Sequence, residues 1–84
     1  MEKEKAIIIF RFQKKGIEKD LEIPLFITAN EFVLALNTAF ELGIDTSNVK
    51  NCYLKAENPI ALIRGNKTLG ELGIRNGTII NYTD

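Results

Sequence analysis

Residues 27–43 read ITANEFVLALNTAFELG and carry the most specific structural signal in the chain. Thr28 and Glu31 have the spacing of a capping box. In this motif the threonine hydroxyl accepts a hydrogen bond from the amide three residues later, and the glutamate accepts one from the threonine amide. Ile27 and Phe32 are spaced to pack together as a hydrophobic staple across the same turn. The stretch therefore predicts a helix that begins directly after Thr28.

One side of this helix is predicted to be apolar. The helix should run from about Ala29 to Leu42 and end at Gly43, because glycine readily adopts the left-handed conformation that closes a helix. Apolar residues recur at spacings of three and four, with Val33 at the margin of the stripe; they are Ala29, Phe32, Leu36, Ala39 and Phe40. We expect such a stripe to cover a β-sheet.

The residues before the helix predict an antiparallel hairpin. Ala6 to Phe12 is rich in β-branched and aromatic side chains, as strands are. Ile17 to Ile23 alternates apolar and charged residues with the period of a half-buried strand, and residues 13–16 between them end in a glycine and form a turn. The acidic residues of the second strand, Glu18, Asp20 and Glu22, should line one solvated face.

Arg11 sets the faces of the first strand. If its charged side chain points to water, Ile7 and Ile9 share its face, because side chains alternate along a strand. Ile8, Phe10 and Phe12 then point to the core. Two isoleucines are therefore expected on the outer face.

The residues after the helix predict three short strands and a turn of helix. Cys52 to Ala56 and Ile60 to Arg64 are strand candidates, Leu69 to Ile74 suits a one-turn helical crossing, and Thr78 to Tyr82 is the last strand. In that last strand Ile80 and Tyr82 should point one way, and Ile79 and Asn81 the other. This order predicts an α+β fold of the β-grasp type: a mixed four- to five-stranded sheet with one long helix packed on one face.

Two motifs resemble ubiquitin-like domains. Thr28-x-x-Glu31-Phe32-x-x-x-Leu36 is similar to the start of the ubiquitin helix. The run Gly65-Asn66-Lys67-Thr68-Leu69-x-x-Leu72-Gly73-Ile74-x-Asn76-Gly77-Thr78 is similar to the turn, crossing and last strand of such domains. The resemblance extends from Ile7 to Tyr82. Because 84 residues can form only one core, we expect a single ubiquitin-like domain over residues 1–84, with residues 1–5 as a flexible N-terminus.

Within this superfamily the chain resembles the YukD/EsaB family of bacterial ubiquitin-like proteins. The resemblance rests on the chain length, on Ile8-x-Phe10-x-Phe12 before a short hairpin, and on Leu72-Gly73-Ile74-x-Asn76-Gly77-x-x-Ile80. It implies a non-catalytic adaptor or regulatory protein of a Gram-positive type VII (WXG-type) secretion system. Its partners would be proteins, including membrane-embedded components of the secretion machinery.

Composition excludes several other classes of function. Eleven basic residues balance eleven acidic ones, so the chain has no net positive charge to attract nucleic acid, and we expect no nucleic-acid partner. The apolar run at residues 6–10 is too short for direct membrane insertion or for a signal peptide, so we expect a cytoplasmic protein. We also expect it to be a monomer or a weak homo-oligomer. The chain has no histidine and a single cysteine, Cys52, which we interpret as a buried core residue. We therefore expect no catalytic residues, no cofactor and no metal site.

Two alternatives remain open at the level of sequence. One is a ubiquitin-like modifier or sulfur carrier, which an adenylating enzyme would process at a flexible diglycine tail. The chain ends Asn81-Tyr82-Thr83-Asp84, without a diglycine. The resemblance therefore does not imply activation by an adenylating enzyme, unless the natural chain is longer. The other is a ubiquitin-like interaction domain of a different pathway, which would have the same fold and the same surfaces.

Apolar residues that the fold leaves outside predict where a protein partner binds. Ubiquitin-like domains commonly bind partners on the sheet face opposite the helix, and a contiguous apolar patch there would mark a docking site. The predicted binding residues are Ile7, Ile9, Arg11, Tyr53, Ile79 and Asn81 on the sheet, and Leu34 on the outer side of the helix. For each of them the plainer interpretation is a single exposed side chain that has no function.

Overall fold

The computed structural model describes residues 4–47 and 52–82. Its elements, in chain order, are β1 (Lys5–Phe12), a 3₁₀ turn (Gln13–Lys15), β2 (Ile17–Pro24), α1 (Ala29–Phe40), β3 (Leu54–Glu57), β4 (Ala61–Ile63) and β5 (Ile79–Tyr82). Of the predicted flexible N-terminus, residues 1–3 lie outside the described residues, whereas Lys5 is the first residue of β1.

The strands form one five-stranded sheet in the order β2-β1-β5-β3-β4. β1 pairs antiparallel with β2 and parallel with β5, so the sheet is mixed. β3 pairs antiparallel with both β5 and β4. The helix covers one face of this sheet, which confirms the predicted β-grasp architecture with five strands.

Strand β1 runs through the middle of the core. Ile8, Phe10 and Phe12 are almost completely buried, and Phe10 packs on Phe40 of the helix with their ring centroids 4.8 Å apart. Ile7, by contrast, is 54% exposed. The faces predicted for β1 are therefore confirmed.

The predicted capping box is present at the start of α1. The Glu31 amide donates to Thr28 Oγ1 at 3.1 Å, and the Thr28 amide donates to Glu31 Oε1 at 2.9 Å. These bonds satisfy two amides that have no partner inside the helix. The motif therefore fixes where the helix begins.

The other end of the helix differs from the prediction. The last helical residue is Phe40, and Glu41 already has a left-handed φ of 53°, two residues before Gly43. Asn37 lets the chain leave early, because its side chain accepts from the Ile44 amide at 3.0 Å and donates to the Ile44 carbonyl at 3.2 Å. This pair of bonds stabilises the chain where the last two predicted helical residues would have been.

The buried stripe is also shifted from the predicted one. Val33 is fully buried at the centre of the stripe, beside Phe32 and Leu36. Ala39 is exposed, so its place in the predicted stripe was wrong. The shift follows from the angle at which the helix crosses the sheet, which the periodicity of one segment does not specify.

A second capping box precedes the crossing between β4 and β5. The Glu71 amide donates to Thr68 Oγ1 at 3.1 Å, and the Thr68 amide donates to Glu71 Oε1 at 2.9 Å. The Leu72 amide then bonds the Thr68 carbonyl at 3.1 Å, as in a single turn of α-helix. This segment is short but as well capped as α1, and it buries Leu69 and Ile74 in the core.

Replacing Thr28 with alanine should lower the free energy of unfolding by about 1 kcal/mol, because the Glu31 amide loses its acceptor and the box opens. The measurement is urea-induced unfolding followed by far-ultraviolet circular dichroism. Thr28→Ser is the control, since it keeps the hydroxyl and should lie close to the unsubstituted chain. Equal losses in both variants would mean that the cap does not stabilise the helix.

Candidate protein-binding site

The face of the sheet opposite the helix holds most of the predicted binding residues. Ile9 lies between two neighbours on this face: Asp20 of β2 and Ile79 of β5, both directly across from it in the register. Ile9 and Ile79 are half-buried by their neighbours, and Ile7 next to them is more than half exposed. The three isoleucines form a small apolar surface, which we call the isoleucine patch.

Arg11 and Asn81 lie side by side at one end of the isoleucine patch. The Arg11 Nε lies 3.5 Å from Glu18 Oε1, and the Asn81 side-chain amide donates to Glu57 Oε2 at 2.8 Å. Both residues are half-buried and already have partners within the sheet. They form a polar border of the patch.

Tyr53 and Leu34 lie further from the isoleucine patch than the other predicted binding residues. Tyr53 is half-buried directly before β3, the strand next to β5. Leu34 is 44% exposed on α1, and the thickness of the molecule separates it from the open face of the sheet. The structure thus gathers five of the seven predicted residues on one face, sets Tyr53 at its margin and leaves Leu34 apart.

Sequence reasoning missed three exposed apolar residues. Ile60 is 92% exposed and Leu62 is 42% exposed, both at the β4 edge of the open face, and Phe26 is 67% exposed in the loop before the helix. Together with Lys55 and Asn81, Ile60 and Leu62 line an open groove across β5, β3 and β4. The alternation of Ala61, Leu62 and Ile63 could have indicated the outward position of Leu62, because only one face of β4 can meet the core.

The acidic residues of β2 lie where the sequence predicts them. Glu18, Asp20 and Glu22 are all exposed, and each is directly across from a residue of the open face of β1. Across residues 4–47 and 52–82, no three cysteine or acidic side chains come together as a possible metal-binding group. Within the same residues, no helix is both long enough and apolar enough to cross a membrane.

The comparison with known protein families gives a match that covers nearly the whole chain. Residues 8–81 match the family model described as WXG100 protein secretion system (Wss), protein YukD. The chain belongs to the YukD family. The match includes both the Ile8-x-Phe10-x-Phe12 motif and the Leu72–Ile80 run on which the predicted resemblance rests, so that prediction is confirmed. A search of curated proteins gave no significant match.

The YukD family is associated with the WXG100 secretion system, and its ubiquitin-like fold agrees with the sheet order found here. Membership accounts for the fold and for the link to secretion. It does not assign a role to the isoleucine patch, because a shared fold does not by itself specify a binding surface.

Proposed function

We propose that this YukD-family chain is a non-catalytic adaptor or regulatory subunit of a Gram-positive WXG100 secretion system. It works in the cytoplasm, as one ubiquitin-like domain, by binding a protein component of the machinery with the open face of its sheet. The membrane-embedded components are the partners we favour. Family membership supports the link to secretion.

The observation that carries the proposal is the exposure of Ile7 beside Ile9 and Ile79. Ile7 is 54% exposed although it lies on a central strand, so more than half of its surface is left in water in the isolated chain. Its two half-buried neighbours make the apolar surface continuous across β1 and β5. Burial of such a patch by a partner is favourable at about 25 cal/mol per Å² of apolar surface.

Replacing Ile7 with serine should reduce capture of secretion-system components from a host extract at least about fivefold, as expected when a central interface residue is truncated. The change should alter the free energy of unfolding by less than about 1 kcal/mol, because the side chain is largely in water. Quantitative mass spectrometry of the proteins retained on immobilised chain measures the first effect, and urea unfolding the second.

Leu34→Ser is the matched control, since Leu34 is a similarly exposed apolar residue on the opposite layer. It should leave capture unchanged. Loss of capture with Leu34→Ser but not with Ile7→Ser would show that the partner binds the helix and not the open face of the sheet. Covalent conjugates of the chain in its host, detected by mass spectrometry, would contradict the adaptor function itself.

A further inference from the structure

Carboxylates border the isoleucine patch on both sides. The registers of the sheet place Asp20, Ile9, Ile79 and Glu57 in one row across β2, β1, β5 and β3. Glu22 lies directly across from Ile7 in the next row along β1. The apolar centre is therefore enclosed between an acidic strand on one side and Glu57 on the other.

The two carboxylates nearest the patch on β2 are not neutralised within the sheet. Arg11 pairs with Glu18, one position further along β2. Neither Asp20 nor Glu22 forms an ion pair with any basic residue in the described part of the chain. Glu57 accepts a hydrogen bond from the Asn81 side-chain amide, which brings no positive charge to it. Three negative charges thus surround a small apolar centre.

The opposite end of the same face carries positive charge. Arg11, Asn81 and Lys55 form the row next to the patch, and Lys55 is exposed. Lys5 is exposed on the same face of β1, two residues before Ile7, so basic residues lie at both ends of the patch along the strands. The carboxylates therefore flank the patch across the strands, and the basic residues lie beyond it along the strands.

These charges disfavour several occupants. Nucleic acid and an anionic membrane would bring phosphates against Asp20, Glu22 and Glu57. A second copy of the chain that extended the sheet at the β2 edge would meet electrostatic repulsion. An antiparallel β2–β2 pairing along the full strand would set acidic residues of β2 (Glu18, Asp20 and Glu22) opposite those of the second copy, and like charges in that position are destabilising.

We propose that the isoleucine patch binds a basic amphipathic helix of the partner protein. The inference rests on the function proposed above and specifies the chemistry of the partner. The apolar stripe of this helix covers Ile7, Ile9 and Ile79. Lysine or arginine side chains on its flanks pair with Asp20 and Glu22 on one side and with Glu57 on the other.

The dimensions of the face suit a helix. The two carboxylate columns are three strand spacings apart, ~14 Å, and a helix with its side chains is about 10–12 Å across. Along β2, Asp20 and Glu22 are ~6.7 Å apart, close to the ~6 Å between helical positions i and i+4. Two basic residues one turn apart would therefore meet both carboxylates of β2.

The first test uses a synthetic helix of about 18 residues, ~27 Å long, with leucines along one side and lysines on both flanks. Added to the isotope-labelled chain at about 0.15 M salt, it should shift amide signals of β1, β2 and β5 around Ile7, Asp20 and Ile79. A peptide of the same pattern with glutamate in place of lysine should not. Equal binding of both peptides, or binding of neither, would overturn the proposal.

The second test changes the charge on the protein. Asp20→Lys should weaken binding of the basic peptide about five- to tenfold, because an attractive pair becomes a repulsive one. Glu41→Lys makes the same change in charge at an exposed residue after the helix and should leave affinity within about twofold, a difference that net charge alone accounts for. Similar losses in the two variants would show a non-specific charge effect and overturn the proposal.

The outcomes also separate this inference from the proposed function. If Ile7→Ser abolishes capture of secretion components and Asp20→Lys does not, the open face binds a partner but the partner is not basic. If neither variant changes capture, the proposed site itself is wrong. If the amide signals around the isoleucine patch shift with protein concentration in the absence of peptide, a second copy of the chain binds the patch. That result would likewise contradict a basic partner helix.

Discussion

Replacing Phe10 with alanine is expected to lower the free energy of unfolding by about 3–5 kcal/mol, as for other large-to-small substitutions in a packed core. Phe10 is completely buried on β1, which has a strand on either side of it. Its ring packs against Phe40 at 4.8 Å between centroids. Alanine leaves a cavity beneath the helix that neither layer can readily fill.

The loss would be a large fraction of the total, because a chain of 84 residues is stabilised by only about 4–13 kcal/mol. Urea unfolding followed by far-ultraviolet circular dichroism measures it. Ile7→Ala is the control on the same strand and should cost less than about 1 kcal/mol, since Ile7 faces water. A larger loss for Ile7→Ala than for Phe10→Ala would mean that the faces of β1 are reversed.

Replacing Thr78 with valine should cost about 2–3 kcal/mol, although the two side chains have nearly the same shape. The Thr78 hydroxyl donates to the Asn58 carbonyl at 2.8 Å and accepts from the Arg75 amide at 3.0 Å. Thr78 itself is fully buried. Valine leaves both backbone groups without that partner, and each unsatisfied group adds to the loss.

The matched control is Thr78→Ser, which keeps the hydroxyl and removes only a methyl group, for a loss of about 1 kcal/mol. Hydrogen exchange at the Arg75 amide gives a second measurement, because this amide should exchange faster in the valine variant and not in the serine variant. If valine is no more destabilising than serine, the hydroxyl does not hold the β3–β4 turn to the start of β5.

The helix shows how far local sequence predicts structure. Its start at Ala29 was predicted correctly, because the capping box is made by residues three apart and needs nothing from the rest of the chain. Its end was placed two residues too late. The bonds between Asn37 and Ile44 at this end involve residues seven apart, and no local propensity indicates them.

The candidate site shows the same division. The outward direction of Ile7, Ile9 and Arg11 followed from alternation along one strand. The outward position of Leu62 could have followed in the same way from alternation along β4, but the exposure of Ile60 could not, because Ile60 lies just before that strand of three residues. The role of this surface in binding stays a prediction, and the capture and peptide experiments above test it.

The sequence by itself determined the helix start, the hairpin and the faces of β1, because each depends on residues only a few positions apart. Tertiary structure alone decided that Asp20 and Glu57, which are distant in sequence, border the same isoleucines. That arrangement requires β5 to insert between β1 and β3, and strand order is set by packing the whole chain around one core. The proposed affinity for a basic helix exists only in the folded sheet.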